Sequence, residues 1–562
     1  MVKQYLRKFV KPCLRTIDHY KKGLIVIGLA TLVFFLPLLP RIASYSEGGD
    51  AMFNAWLIGR NQHCMLGNNC PDYTTANIYF PNKDTMLYSE TELSAGLLTL
   101  PLRVIDDNPV FLYNVWTILS FFFAGLFMYM LARHINKGNE PFAIAAGLIF
   151  AFAPYKIASI SHLQNLSIFY LPLIILLMLK YYQQPRRFYL LVLFGALVMQ
   201  FYASWYQMVF VLIPVAILLL VKLFSKSNRA KTLVLSATVG LSVVATLPLA
   251  IEYVQFSKSN DVAFAIGEQV KYSASLSDYV IPYSGTILGK VYYQLFPGNQ
   301  VNSYNPDSFS YVGVSLAMAG LFVIVSVLFL GKHRKNFQDK EVAILSASVI
   351  IIGFIMSLGP LLKIDGQPLD YIDPKTGLQV LFPMPYILVD HFLPQLSFIR
   401  AVGRSSVLVL FALCCLLVLL PKVVKLTNPI KTRAFLFAVL ALLVIELAPL
   451  HFVPMSNKDY HYNMTPPKVY QYIKNANNVD NIIILAGDPD YPGSTIPTQR
   501  AEWVLWAGYH NKNIFNGYSG YTPPDYFDES GNFLVCIKED VDRAQSLDIN
   551  YGLVEKLLWV AT

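Results

Sequence analysis

The sequence predicts an all-α polytopic membrane protein of about eleven transmembrane helices, followed by a small α/β tail, on three observations. Apolar residues make up 55% of the 562-residue chain and charged residues only 14%, outside the balance of soluble domains. Nearly uncharged runs such as 24–40, 232–252 and 401–420 are long enough to cross a hydrocarbon core of roughly 30 Å. The runs recur along the chain, so no single anchor accounts for them.

In order, the expected spans are 24–40, 109–132, 142–159, 166–182, 188–203, 206–221, 232–253, 308–330, 342–362, 401–421 and 434–450. The first follows a basic start that runs to Lys22 and lacks a small-residue cleavage site, so it reads as a retained helix rather than a signal peptide. Placing its amino end inside assigns 1–23, 133–141, 180–188, 222–232, 331–341 and 421–433 to the cytoplasm. Those segments hold more than half of the chain's 44 Lys and Arg, and the opposite orientation would put that charge outside. The expected location is therefore the plasma membrane, with a cytoplasmic amino terminus and an extracytoplasmic carboxyl terminus. The net charge of +9 reports topology and attraction to the anionic lipid of the bilayer, not nucleic acid.

This reading divides the chain into a basic segment 1–23, a transmembrane domain 24–450 and an extracytoplasmic tail domain 451–562. The outside loops 41–108, 254–307 and 363–400 are long, whereas the inside loops are all short. No repeat of two equivalent halves is visible, which argues against a transporter. Within the first outside loop, Glu90 to Ile105 is too short to span and suits a ledge in the membrane interface. Residues 272–284, YSASLSDYVIPYS, have the same boundary character. The tail reads as a helix at 466–475, a β-rich run from Ile482 to Leu485 and a turn at DPDYPGS, and its carboxylates outnumber its Lys and Arg.

Six cysteines are few, and Cys64 and Cys70 share the first outside loop, where a disulfide can persist. Cys414 and Cys415 read as packing within a span, and Cys13 and Cys536 have no evident partner.

Candidates for chemistry gather outside. The first loop opens EGGDAMFNAW, placing Glu47 and Asp50 just beyond the first span. A carboxylate held at the membrane surface among aromatic groups suits a general base; the bland alternative is a pair of solvated acids beside a glycine turn. Arg400 and Arg404 lie four residues apart where the tenth span begins, a spacing that predicts one helical face, and guanidinium forks match phosphate oxygens. Snorkelling to lipid headgroups is the competing account. Lys156 and His162, near the outside junction of the third and fourth spans, are placed to reach a lipid phosphate or an acceptor. Glu252 and Glu446 near span ends are further carboxylates to consider.

Several stretches stand out together: Asp50, Phe53 and Trp56 in the first loop, then IYFPNKDTMLYSE at 78–90 and NPVFLYNVWTILSFFFAGLFMYMLAR at 108–133. FAFAPYKIASISHLQNLSIFYLPL at 150–173, LFPMPYILVDHFLPQLSFIRAVGR at 381–404 and NGYSGYTPPDY at 516–526 follow. In these stretches the chain resembles the polytopic glycosyltransferases of the GT-C fold, in particular bacterial and archaeal membrane proteins related to the YfhO-like and protein-mannosyltransferase-like families. Related sequences commonly carry Arg-x-Pro-x-Arg where this chain has Val402 between its arginines, and an aromatic residue where it has Ser405.

The resemblance implies a hexosyltransferase-type enzyme of the cell envelope. It would move a sugar from a polyprenyl-phosphate donor to a hydroxyl of a glycan, lipid or protein acceptor on the extracytoplasmic face, with inversion. A phosphate is a good leaving group, so one base suffices where glycoside hydrolysis uses two carboxylates. Asp50 is the expected base with Glu47 as its substitute; Arg400, Arg404 and Lys156 are expected at the donor phosphate; and Trp56, His162 and Glu90 at the substrate. No cofactor follows from the sequence. Some enzymes of this fold use a divalent cation and others none, and Glu90 and Glu92 are the carboxylates such a cation would take. The alternatives are a non-enzymatic lipid or polysaccharide flippase and a catalytically inactive scaffold of the same fold. A flippase needs polar groups through its spans, and mid-span charges are almost absent here.

Overall fold

The computed structural model describes residues 2–67, 70, 72–136, 138–260, 264–297, 308–330, 337–372, 375, 378–392, 399–426, 428–449, 466–477, 479–482, 484 and 497–523. The expected DPD turn at 488–490, Cys536 and the tail beyond 523 lie outside them. Every one of the eleven expected spans falls on a helix. Among the described residues, seven helices are long and apolar enough to cross a membrane: Pro109–Ile135, Glu140–Ala158, Leu163–Gln183, Trp205–Leu223, Arg229–Ser259, Gln338–Ser357 and Val402–Val423. Arg187–Ala203 and Val314–Leu328 are apolar but shorter. The basic start and the first expected span form one continuous helix, Val2–Phe35.

Local chemistry sets several boundaries. Asn108 and Asn428 each accept a hydrogen bond from the amide two residues on, at 2.9 and 2.8 Å, and each is followed by proline at the first helical position. Asparagine satisfies an otherwise orphaned amide, and proline has none to lose there. Pro154 acts differently. It drives Ala153 into an extended conformation (ψ 149°), which ends the helix Glu140–Phe152 and starts the short turn Pro154–Ala158. The chain then turns inward through 159–162 before resuming as helix.

Helices Pro109–Ile135 and Glu140–Phe152 cross closely through glycine. A Cβ on Gly147 would lie 2.7 Å from the Gly125 carbonyl oxygen, so this contact excludes any side chain. Charges sort to the two ends of the bundle. At one end, ion pairs join Arg133 to Glu140 (2.7 Å), Lys222 to Glu341 (2.5 Å) and Lys422 to Asp339 (2.7 Å). The opposite end of the same helices carries the loop 41–108 and the described part of the tail.

In that loop, Gly49–Met65 is a helix, and Leu93–Thr99 with Leu100–Val104 forms a short helical step that exposes Leu97, Leu98, Val104 and Ile105 on one side. The tail is not a free-standing module. Its helix Pro497–His510 packs on Gly49–Met65, where Gly508 lies against Trp56. Its strand Asn513–Ile514 pairs in parallel with Asn481–Ile482, and Ile514 also bonds on its other side to the Asn77 carbonyl and the Phe80 amide, both at 3.0 Å. The first loop is thus hydrogen-bonded along the outer side of the tail's two-stranded sheet.

Candidate functional site

The site is built where the first loop, the inward turn at 159–162, the start of the helix Trp205–Leu223, the start of the span Val402–Val423 and the tail converge. Gly48 and Gly49 both have positive φ (75° and 44°), a conformation open to glycine, and they reverse the chain so that a helix begins with Asp50 in its first turn. Carboxylates are stabilised at that end of a helix.

Asp50 is held from two sides. Its Oδ2 lies 3.1 Å from Nε2 of His162, and its Oδ1 accepts a 2.5 Å hydrogen bond from the Tyr518 hydroxyl. His162 is placed by the break at Pro154, and the Asn54 side chain fixes the neighbouring turn by donating to the Ser161 carbonyl at 2.9 Å. Burial pushes the Asp50 carboxyl up, but the bond and charge of His162, the Tyr518 hydroxyl and the Arg404 charge outweigh it and hold the group at about 2. The Asp50 side chain still keeps 40% of its surface accessible, against 10% for His162. It is an ionised carboxylate that a second molecule can reach.

The neighbouring carboxylates are tuned the other way. Burial pushes Glu47 up to about 7, only partly offset by His162, and its Oε1 is buried without a hydrogen-bond partner. Burial also takes Glu90 up to about 7 against opposing contributions from Ser204 and Arg404. Its Oε1 accepts from the Ser204 hydroxyl at 2.7 Å and the Tyr206 amide at 3.4 Å, while Oε2 has no partner. Glu92 is 1% exposed with both oxygens unpartnered, and burial, with the charge of Glu90 behind it, raises it well above the carboxylate range. Among the described residues no three His, Cys, Asp or Glu side chains converge as a metal-binding set.

Arg404 is 5% exposed, donates to the Tyr206 hydroxyl and lies over that ring, 5.2 Å from its centre. Tyr206 in turn donates to Asn165, which also accepts from Gln207 at 2.9 Å. The charge of Arg404 acts on both Asp50 and Glu90, so it belongs to this site.

The structure places the other residues singled out in the sequence as follows. Arg400 and Arg404 do not share a helical face: residue 400 precedes the short 3-10 turn Val402–Ser405, and Arg400 stacks instead between Phe264 and Tyr272, 5.2 and 4.6 Å from their ring centres. Lys156 faces inward, donating to the Leu166 carbonyl at 2.5 Å beside the Phe121 ring, because the break at Pro154 turns it into the bundle. Trp56 is buried between Phe53 and the tail helix. Glu446 caps the helix Val314–Leu328, accepting from the amides of Val314 and Ser315 at 2.5 and 3.0 Å. Cys64 and Cys70 are joined by a disulfide, and Cys414 and Cys415 are buried in a span. Ser204 and Tyr206 carry no local signal in the sequence, and Asn165 lies within the quoted stretch 150–173 with no role attached. Tyr518 lay within a quoted motif with no role attached, since nothing local marks a tyrosine near the end of the chain as a partner of Asp50.

The family model described as a domain of unknown function (DUF6311) matches residues 69–448. No curated protein matches the sequence. Among solved structures, the arabinofuranosyltransferase AftD from Mycobacteria is similar with a TM-score of 0.53 at 12% identity, over 84% of this chain and 30% of that one. The apo oligosaccharyltransferase of Archaeoglobus fulgidus gives 0.46 at 14% identity, over 88% of this chain and 60% of its own. The AglB oligosaccharyltransferase of the same organism, in complex with an inhibitory peptide and a dolichol-phosphate, gives 0.41 at 11%, over 91% and 65%. The chain spans well under half the length of AftD. The likeness to AftD establishes the architecture as a GT-C fold.

Proposed function

The chain belongs to the DUF6311 family, and from that premise and its GT-C fold we propose that it is a membrane glycosyltransferase using a polyprenyl-phosphate sugar. The observation that carries this reading is the pairing of an ionised, accessible Asp50 with a buried Arg404 whose charge reaches it. A base and an anion-binding cation within one another's field are what a single-displacement transfer from a phosphate needs.

The acceptor oxygen forms its bond to the anomeric carbon as the bond from that carbon to the phosphate oxygen breaks, and the configuration inverts. The electron pair leaves with the phosphate, whose growing charge meets Arg404. The acceptor's proton goes to Asp50, with His162 fixing the carboxylate's orientation. Burial has a purpose here. Glu47, Glu90 and Glu92 all hold their protons more tightly than exposed acids, which spares the donor phosphate their repulsion. The site lies at the bundle end opposite the Lys222, Lys422 and Arg133 ion pairs, and the preference of basic residues for the cytoplasmic side supports an extracytoplasmic site.

Purified protein is incubated with a panel of radiolabelled polyprenyl-phosphate sugars and membrane extract. Movement of one label into extract material, lost in Asp50→Asn, supports the assignment; retention of every label on its prenyl carrier overturns it.

A further inference from the structure

Both oxygens of the Asp50 carboxylate are engaged within the protein: Oδ2 by the largely buried His162 and Oδ1 by the hydroxyl of Tyr518. A hydroxyl donating to Oδ1 is the contact that an acceptor hydroxyl must make before it loses its proton. We propose that Tyr518 holds the acceptor's place: the tail segment 516–521 occupies the acceptor subsite in this conformation, and the acceptor binds by displacing the Tyr518 hydroxyl from Asp50. This rests on the glycosyltransferase reading and adds to it the location of the acceptor subsite and what closes it.

The surroundings fit a subsite wall. The Tyr518 ring meets Phe53 edge-on at 5.7 Å between centres, so withdrawal of the tyrosine bares an aromatic face next to the base. Aromatic faces are good partners for the apolar side of a sugar ring. The backbone on either side of Tyr518 is anchored: Arg500 donates to the Gly517 carbonyl at 3.1 and 3.0 Å, the Ser519 and Tyr79 hydroxyls share a hydrogen bond at 3.1 Å, and the Tyr521 amide donates to the Tyr88 carbonyl at 2.8 Å, whereas the Tyr518 hydroxyl itself bonds to Asp50. Tyr521 also stacks on Phe264, 4.3 Å away, whose other neighbour is Arg400. A carboxyl held at about 2 is a weak base, and releasing the Tyr518 bond removes one of the contacts that depress it.

The alternative is that Tyr518 is a positioning residue that orients Asp50 during transfer, and the two accounts differ in sign. Tyr518→Phe keeps the ring and removes the hydroxyl. If the hydroxyl competes with the acceptor, the competent fraction of the protein rises and the acceptor KM falls by about tenfold, with kcat unchanged or higher. If it positions the base, kcat falls and KM does not improve.

The experiment measures initial rates with the full-length protein against increasing amounts of the accepting extract fraction, for the parent and Tyr518→Phe, at a saturating concentration of whichever labelled polyprenyl-phosphate sugar is transferred. Amide hydrogen exchange over 516–521 is followed in the parent with and without that fraction. A lower KM in the variant, with faster exchange in the parent when the fraction is present, is the expected result. An unchanged or higher KM, or exchange that the fraction leaves unaltered, overturns the proposal while Asp50-dependent transfer still stands. Absence of any transfer by the parent overturns the glycosyltransferase reading, and this inference with it.

Discussion

The guanidinium of Arg404 both donates to the hydroxyl of Tyr206 and lies over its ring, joining the start of one span to the start of another at the mouth of the site. The planar group meets an aromatic face and a hydroxyl together, which an ammonium reproduces poorly. Arg404→Lys is therefore expected to weaken binding of the labelled donor by roughly tenfold while the protein still inserts. Arg400→Lys, stacked between Phe264 and Tyr272, should change it less than about twofold. Equal losses in the two variants would put both arginines at the phosphate.

Donor binding should depend on pH through Glu90. Its carboxyl holds a proton up to about 7 against an ordinary 4.5 because it is buried. The folded protein therefore keeps a proton that the unfolded chain has released, and the associated stability is full below the ordinary value and lost as pH rises through about 7. Ionised Glu90 repels a phosphate beside Arg404, whereas a phosphodiester donor keeps its own single charge throughout. Donor affinity should fall severalfold between about pH 6 and about pH 8, and Glu90→Gln should remove most of that fall. A profile identical in parent and variant would take Glu90 away from the donor.

Much of the architecture was legible in the sequence because length and apolar content are local properties, and each expected span carries a helix. The glycine turn before Asp50 was legible too, whereas the helix Gly49–Met65 that follows it was not, because its apolar and polar residues do not sort to one face. Whether a charged side chain near a span end points inward depends on packing, so Lys156 and Arg404 look alike in sequence although one is tucked beside Phe121 and the other lies over Tyr206, where its charge reaches Asp50. The tail read as separate because the backbone that bonds to its strand Asn513–Ile514 lies at 77–80, far away in the chain. The same distance hid Tyr518.

The contact between Gly125 and Gly147 tests the bundle rather than the site. Gly147→Leu forces a side chain against the Gly125 carbonyl and Tyr129, and should destabilise the protein by about 2–4 kcal/mol, read as a lower unfolding temperature in detergent. An unchanged temperature would mean that these helices do not pack this closely.

Orientation has its own test. The disulfide between Cys64 and Cys70 belongs on an oxidising face, and the ion-paired basic residues gather at the other end of the bundle. A reporter active only in the cytoplasm and fused after Thr562 should stay silent. Activity there would reverse the assignment of the tail and of the site.

The central claim is that Asp50 takes the acceptor's proton, and Asp50→Asn examines it most directly, because the amide keeps the size of the carboxylate and abolishes its basicity. The measurement is the initial rate of label transfer from the polyprenyl-phosphate sugar, alongside donor binding, for the parent, Asp50→Asn and Glu47→Gln. Loss of a general base costs on the order of 10² to 10⁴ in rate, so transfer should drop at least about a hundredfold in Asp50→Asn with donor binding nearly unchanged, and Glu47→Gln should be milder. Transfer by Asp50→Asn at nearly the parent rate would contradict the account, and a dead Glu47→Gln beside it would move the base to Glu47.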